Sequence, residues 1–169
     1  WIKAPGVEFF ETLGNALGSL PIMAEDLGII TSEVEELRDR FQFPGMRILQ
    51  FAFGDDSSNA YLPHNYVHNS VVYPGTHDND TAIGWWNKAS DKEKQFVAKY
   101  LGDESAAEIT EINWEFIQLA LASVADLAIL PLQDILGLDD RARMNDPSVN
   151  AGNWRWRYES SEMLTPQLR

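Results

Sequence analysis

The sequence has no cysteine, which excludes disulfides, thiol catalysis and cysteine-ligated metals, and suits a reducing cytoplasm. It is poor in bases: 13 Lys and Arg stand against 26 Asp and Glu, a formal charge of −13. Acids outnumber bases in each of the stretches 1–60, 61–110 and 111–169. No basic patch survives, so nucleic acid and anionic membrane surfaces are not expected partners. No apolar run approaches the ~20 residues that cross a bilayer, and no basic start with an apolar stretch marks a signal peptide. A glycine-rich phosphate fingerprint is missing too, which counts against dinucleotide binding. Cofactors are not expected.

What remains is 169 residues with 44 % apolar and 23 % charged side chains, an ordinary globular composition sized for one domain. Aromatics are plentiful at 11 %, with six Trp, which suits sugar binding although core filling alone accounts for many of them. Short apolar runs ending in polar clusters alternate with segments of helical period. Strands are expected at 19–24, 46–53, 70–73 and 127–132, neighbouring and parallel, joined by helical crossovers. Helices are expected after Thr31, at 91–101 and at 112–125, with a loop-rich tail from Arg141. Alternating β and α units read as an α/β fold, half of a (β/α)₈ barrel.

Active sites of such barrels lie at the C-terminal strand ends. Here those ends are acidic: Glu25-Asp26, Asp55-Asp56, His77-Asp78-Asn79-Asp80 and Asp134. Converging carboxylates are what glycoside chemistry requires, one to protonate the glycosidic oxygen and one to stabilise an oxocarbenium-like centre. A single Asp after a strand is commonly just a turn or cap residue. Glu25 is a poor cap, so that reading is weaker there. Metal readings fare worse. Asp78-Asn79-Asp80 opens like a calcium loop, but Ala82 and Ile83 stand where a ligand and a glycine belong. His64 and His68 lack the intervening Glu of a metalloprotease helix.

Longer words carry a resemblance. They are Ala24-Glu25-Asp26-Leu27-Gly28-Ile29-Ile30-Thr31, Pro44-Gly45-Met46 with Leu49-Gln50-Phe51-Ala52-Phe53, Leu62-Pro63-His64-Asn65, and the run from Val71 to Thr81. Gln133-Asp134-Ile135-Leu136-Gly137-Leu138, Ala142-Arg143-Met144-Asn145 and Gly152-Asn153-Trp154 complete them. In these words the sequence resembles the amylomaltase (4-α-glucanotransferase, disproportionating enzyme) family, glycoside hydrolase family 77. The resemblance implies a (β/α)₈ barrel that cuts an α-1,4-glucan, holds one piece covalently and passes it to another glucan's 4-hydroxyl with retention. It implies Glu25 as general acid/base, Asp78 as the carboxylate that stabilises the transition state, and His77 as a ligand of the −1 sugar. Phe51, Asp55 and Asn145 fall where the family lines the glucan groove, and Pro74 stands where many members have Thr.

The family's nucleophile is an Asp in an Arg-Ile-Asp-His word preceding the Glu25 word, and residues 1–24 contain no Asp. The expectation is therefore that residues 1–169 are the C-terminal half of the barrel, cut from something longer and opening at Trp1. Such a chain is inactive alone and needs the missing N-terminal half as partner. Expected ligands are α-1,4-glucans and maltooligosaccharides, in the cytoplasm or, for a plant protein, a plastid. A glucan hydrolase of the same clan and a non-catalytic glucan-binding fragment are the alternatives. On physical grounds Glu25 should be buried among other carboxylates, which would raise its pKa.

Overall fold

The computed structural model describes residues 2–160 and 163. Trp1 and residues 161–162 and 164–169 of the expected tail lie outside the described residues.

Three parallel strands form one sheet in the order β1 (Gly45–Ile48), β2 (Ser70–Tyr73), β3 (Leu127–Ala128). Met46 lies opposite Val71, and Val71 opposite Leu127, so all three strands point their C-termini to the same edge. The expected strand at 70–73 is found with those bounds. The expected strand at 46–53 ends after Ile48, where residues Leu49–Phe51 tighten into a 3₁₀ turn. The expected strand at 127–132 keeps two paired residues before Pro131 opens a short helix.

The fourth strand, expected at 19–24, is not formed. That segment meets the sheet through one backbone bond, Ala24 N–H to the Pro44 carbonyl at 2.9 Å. Pro21 on one side and Pro44 on the other lack the N–H groups that would extend a ladder. The sheet is thus three strands and not the four of a half-barrel.

Among the described residues six α-helices accompany it: α1 (Gly6–Leu17), α2 (Ser32–Arg40), α3 (Ala82–Lys88), α4 (Asp91–Leu101), α5 (Ile112–Ala122) and α6 (Leu132–Ile135). The caps explain several limits. Ser90 and Glu93 form a reciprocal capping box at the start of α4, and Gly102 ends it with a left-handed φ of 90°. Thr81 caps α3 by accepting from the Gly84 N–H at 3.0 Å. Thr31 precedes α2 as expected, without a side-chain cap bond.

The link from β2 to β3 carries α3, α4 and α5, as a parallel sheet requires. The link from β1 to β2 does not match the expected helical crossover. Residues 49–69 hold only 3₁₀ turns, because Gly54, Pro63 and a run of Asp, Ser and Asn favour turns. Asn59 and Asn65 fasten that loop internally, including Asn59 Nδ2 to the Phe51 carbonyl at 2.9 Å.

The core lies between sheet and helices. Phe53 stacks on Phe116 of α5 at 5.7 Å, and Trp85 of α3 meets Phe116 at 5.3 Å. Leu49, Leu62, Val72 and Val97 are completely buried around them. A second cluster joins Phe10 of α1 to Phe41 and Phe43, at 5.2 and 4.9 Å. Among the described residues no helix is long and apolar enough to cross a membrane.

Candidate active site

A cleft of about 960 Å³ opens at the C-terminal edge of the sheet. Its wall draws on Met46 of β1, Tyr73 at the end of β2, Ile129 just past β3, and residues of the segment 23–28 other than Asp26. Glu25, Phe51, His77 and Asp78, four of the six residues singled out in the sequence, line it together. So do Asp80 and Asp134, two of the acidic strand ends.

Asp78 is held firmly. Asn145 donates from Nδ2 to Asp78 Oδ1 at 2.6 Å, and Arg143 donates from Nη2 to the Asp78 carbonyl at 2.7 Å. The Asn145 N–H reaches the His77 carbonyl at 3.0 Å, and His77 Nε2 stands 3.3 Å from Asp78 Oδ1. Within the turn, Thr76 donates its N–H and its hydroxyl to Asn79 Oδ1, each at 2.8 Å. Asn145 thus reaches the site as a partner of Asp78 and is not itself on the cleft wall.

The 75–81 loop is packed as closely as its sequence allows. A Cβ on Gly75 would collide with the Gln50 side-chain amide, and Gln50 Nε2 donates to the Asp80 carbonyl at 2.8 Å. Lys88 Nζ bridges Asp80 at 2.6 Å and Asp140 at 3.0 Å. These contacts hold the lysine's pKa above its ordinary value, the bonds to Asp80 and Asp140 being the main cause.

Asp134 sits at the start of the cavity floor, 1 % exposed. Its Oδ1 accepts the Ala82 N–H at 2.7 Å, which ties α6 to the first turn of α3. Its Oδ2 is buried without a partner among the described residues. Burial, with a smaller push from Asp80, raises its pKa to about 6.

Glu25 differs from expectation. Its side chain is exposed, so the burial predicted for the acid is absent. The neighbouring Asp26 is the buried carboxylate, 8 % exposed. Asp26 Oδ2 pairs with Arg38 Nη1 at 2.6 Å, and Oδ1 accepts the Met46 N–H at 2.7 Å. Alternation along the segment explains the swap: one of two adjacent carboxylates faces inward, and Arg38 neutralises that one.

Asp55 lies apart from this cleft. It is exposed beyond the 3₁₀ turn of residues Leu49–Phe51, which carries the chain away from the cleft, and it does not line the wall. Tyr61 does, meeting Phe51 edge-on at 5.4 Å. Sequence reasoning passed over Tyr61, and no local signal distinguishes it from other loop aromatics. Arg143 shares the word Ala142-Arg143-Met144-Asn145 with Asn145. Among the described residues no three His, Asp or Glu side chains are grouped to hold a metal ion.

Comparison with known proteins now bears on the site. The family described as "4-alpha-glucanotransferase" matches residues 1–163. A 4-alpha-glucanotransferase of Synechocystis is 56 % identical over 168 residues, covering 96 % of this chain and 32 % of its own length. A rice 4-alpha-glucanotransferase described as chloroplastic/amyloplastic is 51 % identical over 170 residues, covering 99 % of this chain and 28 % of its own. The solved amylomaltase of Streptococcus agalactiae, in complex with acarbose, superposes with a TM-score of 0.91 at 37 % identity, covering 99 % of this chain and 33 % of that one. The chain therefore spans about a third of the length of these relatives. The expected placement in the relatives' C-terminal half is not borne out, and the described sheet has three strands where a half-barrel has four. With 1–163 matched and half or more of the residues identical to curated relatives, this chain belongs to the 4-alpha-glucanotransferase family.

Proposed function

We propose that this chain supplies two of the three carboxylates of a retaining 4-α-glucanotransferase acting on α-1,4-glucans. The observation that carries the reading is that Glu25 and Asp78 open onto one cleft at the strand ends. The third carboxylate, the nucleophile, belongs to a part of the protein that this chain does not span.

In the first step the nucleophile attacks the anomeric carbon while Glu25 gives its proton to the departing glycosidic oxygen. In the second, Glu25 takes the proton from the 4-hydroxyl of an incoming glucan, and that oxygen displaces the enzyme carboxylate. Asp78, fixed by Asn145, offers negative charge to the oxocarbenium-like centre in both steps. The exposed setting of Glu25 fits a group that must meet a leaving sugar and then an acceptor. His77 binds hydroxyls of the reacting sugar, and the edges of Phe51 and Tyr61 give apolar contact to the glucan. The compartment is the cytoplasm or a plastid.

The test uses the full-length protein. Glu25→Gln keeps the shape but cannot carry a proton, so maltotriose disproportionation falls ~10²–10⁴-fold. α-Glucosyl fluoride needs no protonated leaving group, so its first step, read as a burst of fluoride release on forming the glycosyl-enzyme, is spared. Equal losses of that first step on both donors mean Glu25 is not the acid. The isolated 169-residue chain, lacking a nucleophile, does not turn over maltotriose; ordinary turnover overturns the division of carboxylates.

A further inference from the structure

The loop after Asn145 contains a backbone outlier that the reaction has not used. Trp154 has φ of 61°, in the left-handed region that a bulky side chain rarely adopts. The conformation is held from several sides. The Trp154 N–H donates to the Met144 carbonyl at 2.7 Å, and Arg157 Nη1 donates to the Trp154 carbonyl at 2.8 Å. Asn153 fastens the preceding turn, accepting the Asp146 N–H at 2.8 Å and donating to the Asp146 and Val149 carbonyls. Gly152 absorbs the reversal of direction with φ of 92°. Strain of this kind persists only where surrounding bonds over-determine it, and it gathers at functional sites.

The result of the strained turn is a placement. The indole lies against the His77 imidazole, ring centroids 5.1 Å apart and planes inclined by 38°. Trp154 as a whole remains 53 % exposed, so hydrophobic burial does not account for the strain. His77 has its other constraint at Asp78, 3.3 Å away, and its own carbonyl is held by Asn145. The same short segment, 143–154, therefore grips His77 and Asp78 three ways: through Arg143, through Asn145 and through Trp154.

We propose that Trp154 is a positioning residue, which uses its strained backbone to lay the indole against His77 and so fix the imidazole for the reacting sugar. The kinetic part of this inference rests on the transferase reading; the contact itself does not. An imidazole free to turn about χ1 would meet the sugar in several orientations, and misplacement by about an ångström costs up to ~10²-fold in rate.

Two variants of the full-length protein test it. Trp154→Gly removes the ring and suits the left-handed backbone, so it releases strain and folds. Trp154→Phe keeps a ring at the same place. With maltotriose, Trp154→Gly is expected to lower kcat ~10-fold or more with KM changed less than ~3-fold and thermal stability kept, while Trp154→Phe recovers most of the loss. The His77 ring protons, identified by their absence in His77→Asn, should carry an upfield ring-current shift that disappears in Trp154→Gly and persists in part in Trp154→Phe. An unchanged kcat in Trp154→Gly, or a loss that Trp154→Phe does not repair, overturns the positioning role. Unmoved His77 signals overturn it even if the protein has no transferase activity, which would separately sink the transferase reading.

Discussion

Asp78 and Glu25 face one cleft from supports of unequal construction. The Asp78 turn is gripped by Asn145 and Arg143, stitched internally through Thr76 and Asn79, and continued into a capped helix whose first turn Asp134 holds. The Glu25 arm touches the sheet through one backbone bond, from Ala24 to Pro44, and one buried side chain, Asp26. No hydrogen bond or ion pair engages Glu25 itself among the described residues, and Ile29, four positions on, is fully exposed. The contrast suits two jobs. A carboxylate that stabilises developing charge works best pre-set, since reorganising it would cost part of what it contributes. A carboxylate that gives a proton to one sugar and takes one from another has to serve two partners in turn.

The sharpest way to break the contrast is to cut the arm's anchor. Asp26→Ala removes the inner partner of Arg38, which keeps Asp39, and leaves the Met46 N–H without its acceptor. The expected cost is ~2–3 kcal/mol in denaturant unfolding of the full-length protein. A cost below ~1 kcal/mol would mean the arm is fastened elsewhere. On the Asp78 side, Asp134 tests through pH. Its folded pKa of about 6 lies above the ordinary value for aspartate, so the native state holds the proton more tightly than the unfolded chain. Stability from this group is complete below pH ~4 and is lost as pH rises through 6, by ~1–3 kcal/mol. Asp134→Asn keeps an acceptor for Ala82 and should flatten that slope; an unaltered slope would assign it to other groups.

Smaller effects sharpen the same comparison. Asn145→Ala removes one grip of several, so transfer activity should fall only ~10-fold with the fold kept, the scale of one lost hydrogen bond to a charge. A fall of ~10³-fold or more would show that the grips act as a unit. Ser90→Ala breaks the capping box of α4, away from both carboxylates. It should cost ~1 kcal/mol in thermal unfolding and leave kcat unchanged. A change in kcat would show that the helical layer feeds into the site.

How much of this was legible in the sequence depended on where the deciding interactions lay. The strand at Ser70–Tyr73 and the helix Asp91–Leu101 carry their own signals, an apolar run closed by Pro-Gly and a capping box closed by Gly, and both have the expected bounds. The stretches 19–24 and 49–53 are as apolar as strands, but pairing decides, and prolines or a 3₁₀ turn prevent it. Helix Gly6–Leu17 went unread although Phe10, Leu13 and Leu17 share one face. The site followed the same rule. Strand-end position brought out Glu25, His77 and Asp78, and the cleft gathers them with Phe51. Which of Glu25 and Asp26 turns inward was settled by Arg38, twelve residues on, and pattern alone did not show it. Asp55 shares the acidic strand-end pattern yet lies beyond a turn that no periodicity announces.

One missing methyl group underlies the Glu25 arm. Asp26 reaches the Met46 N–H only because residue 45 is glycine; a Cβ there would stand where the Asp26 carboxylate now lies. Any other residue at 45 forces a choice between breaking the start of β1 and expelling a buried charge. Substitution tolerance at this position, which carries no side chain of its own, is therefore a proxy for how tightly the proton donor is tethered. In a saturation library selected only for transfer activity, position 45 should come back as glycine, filtered by geometry and not by chemistry.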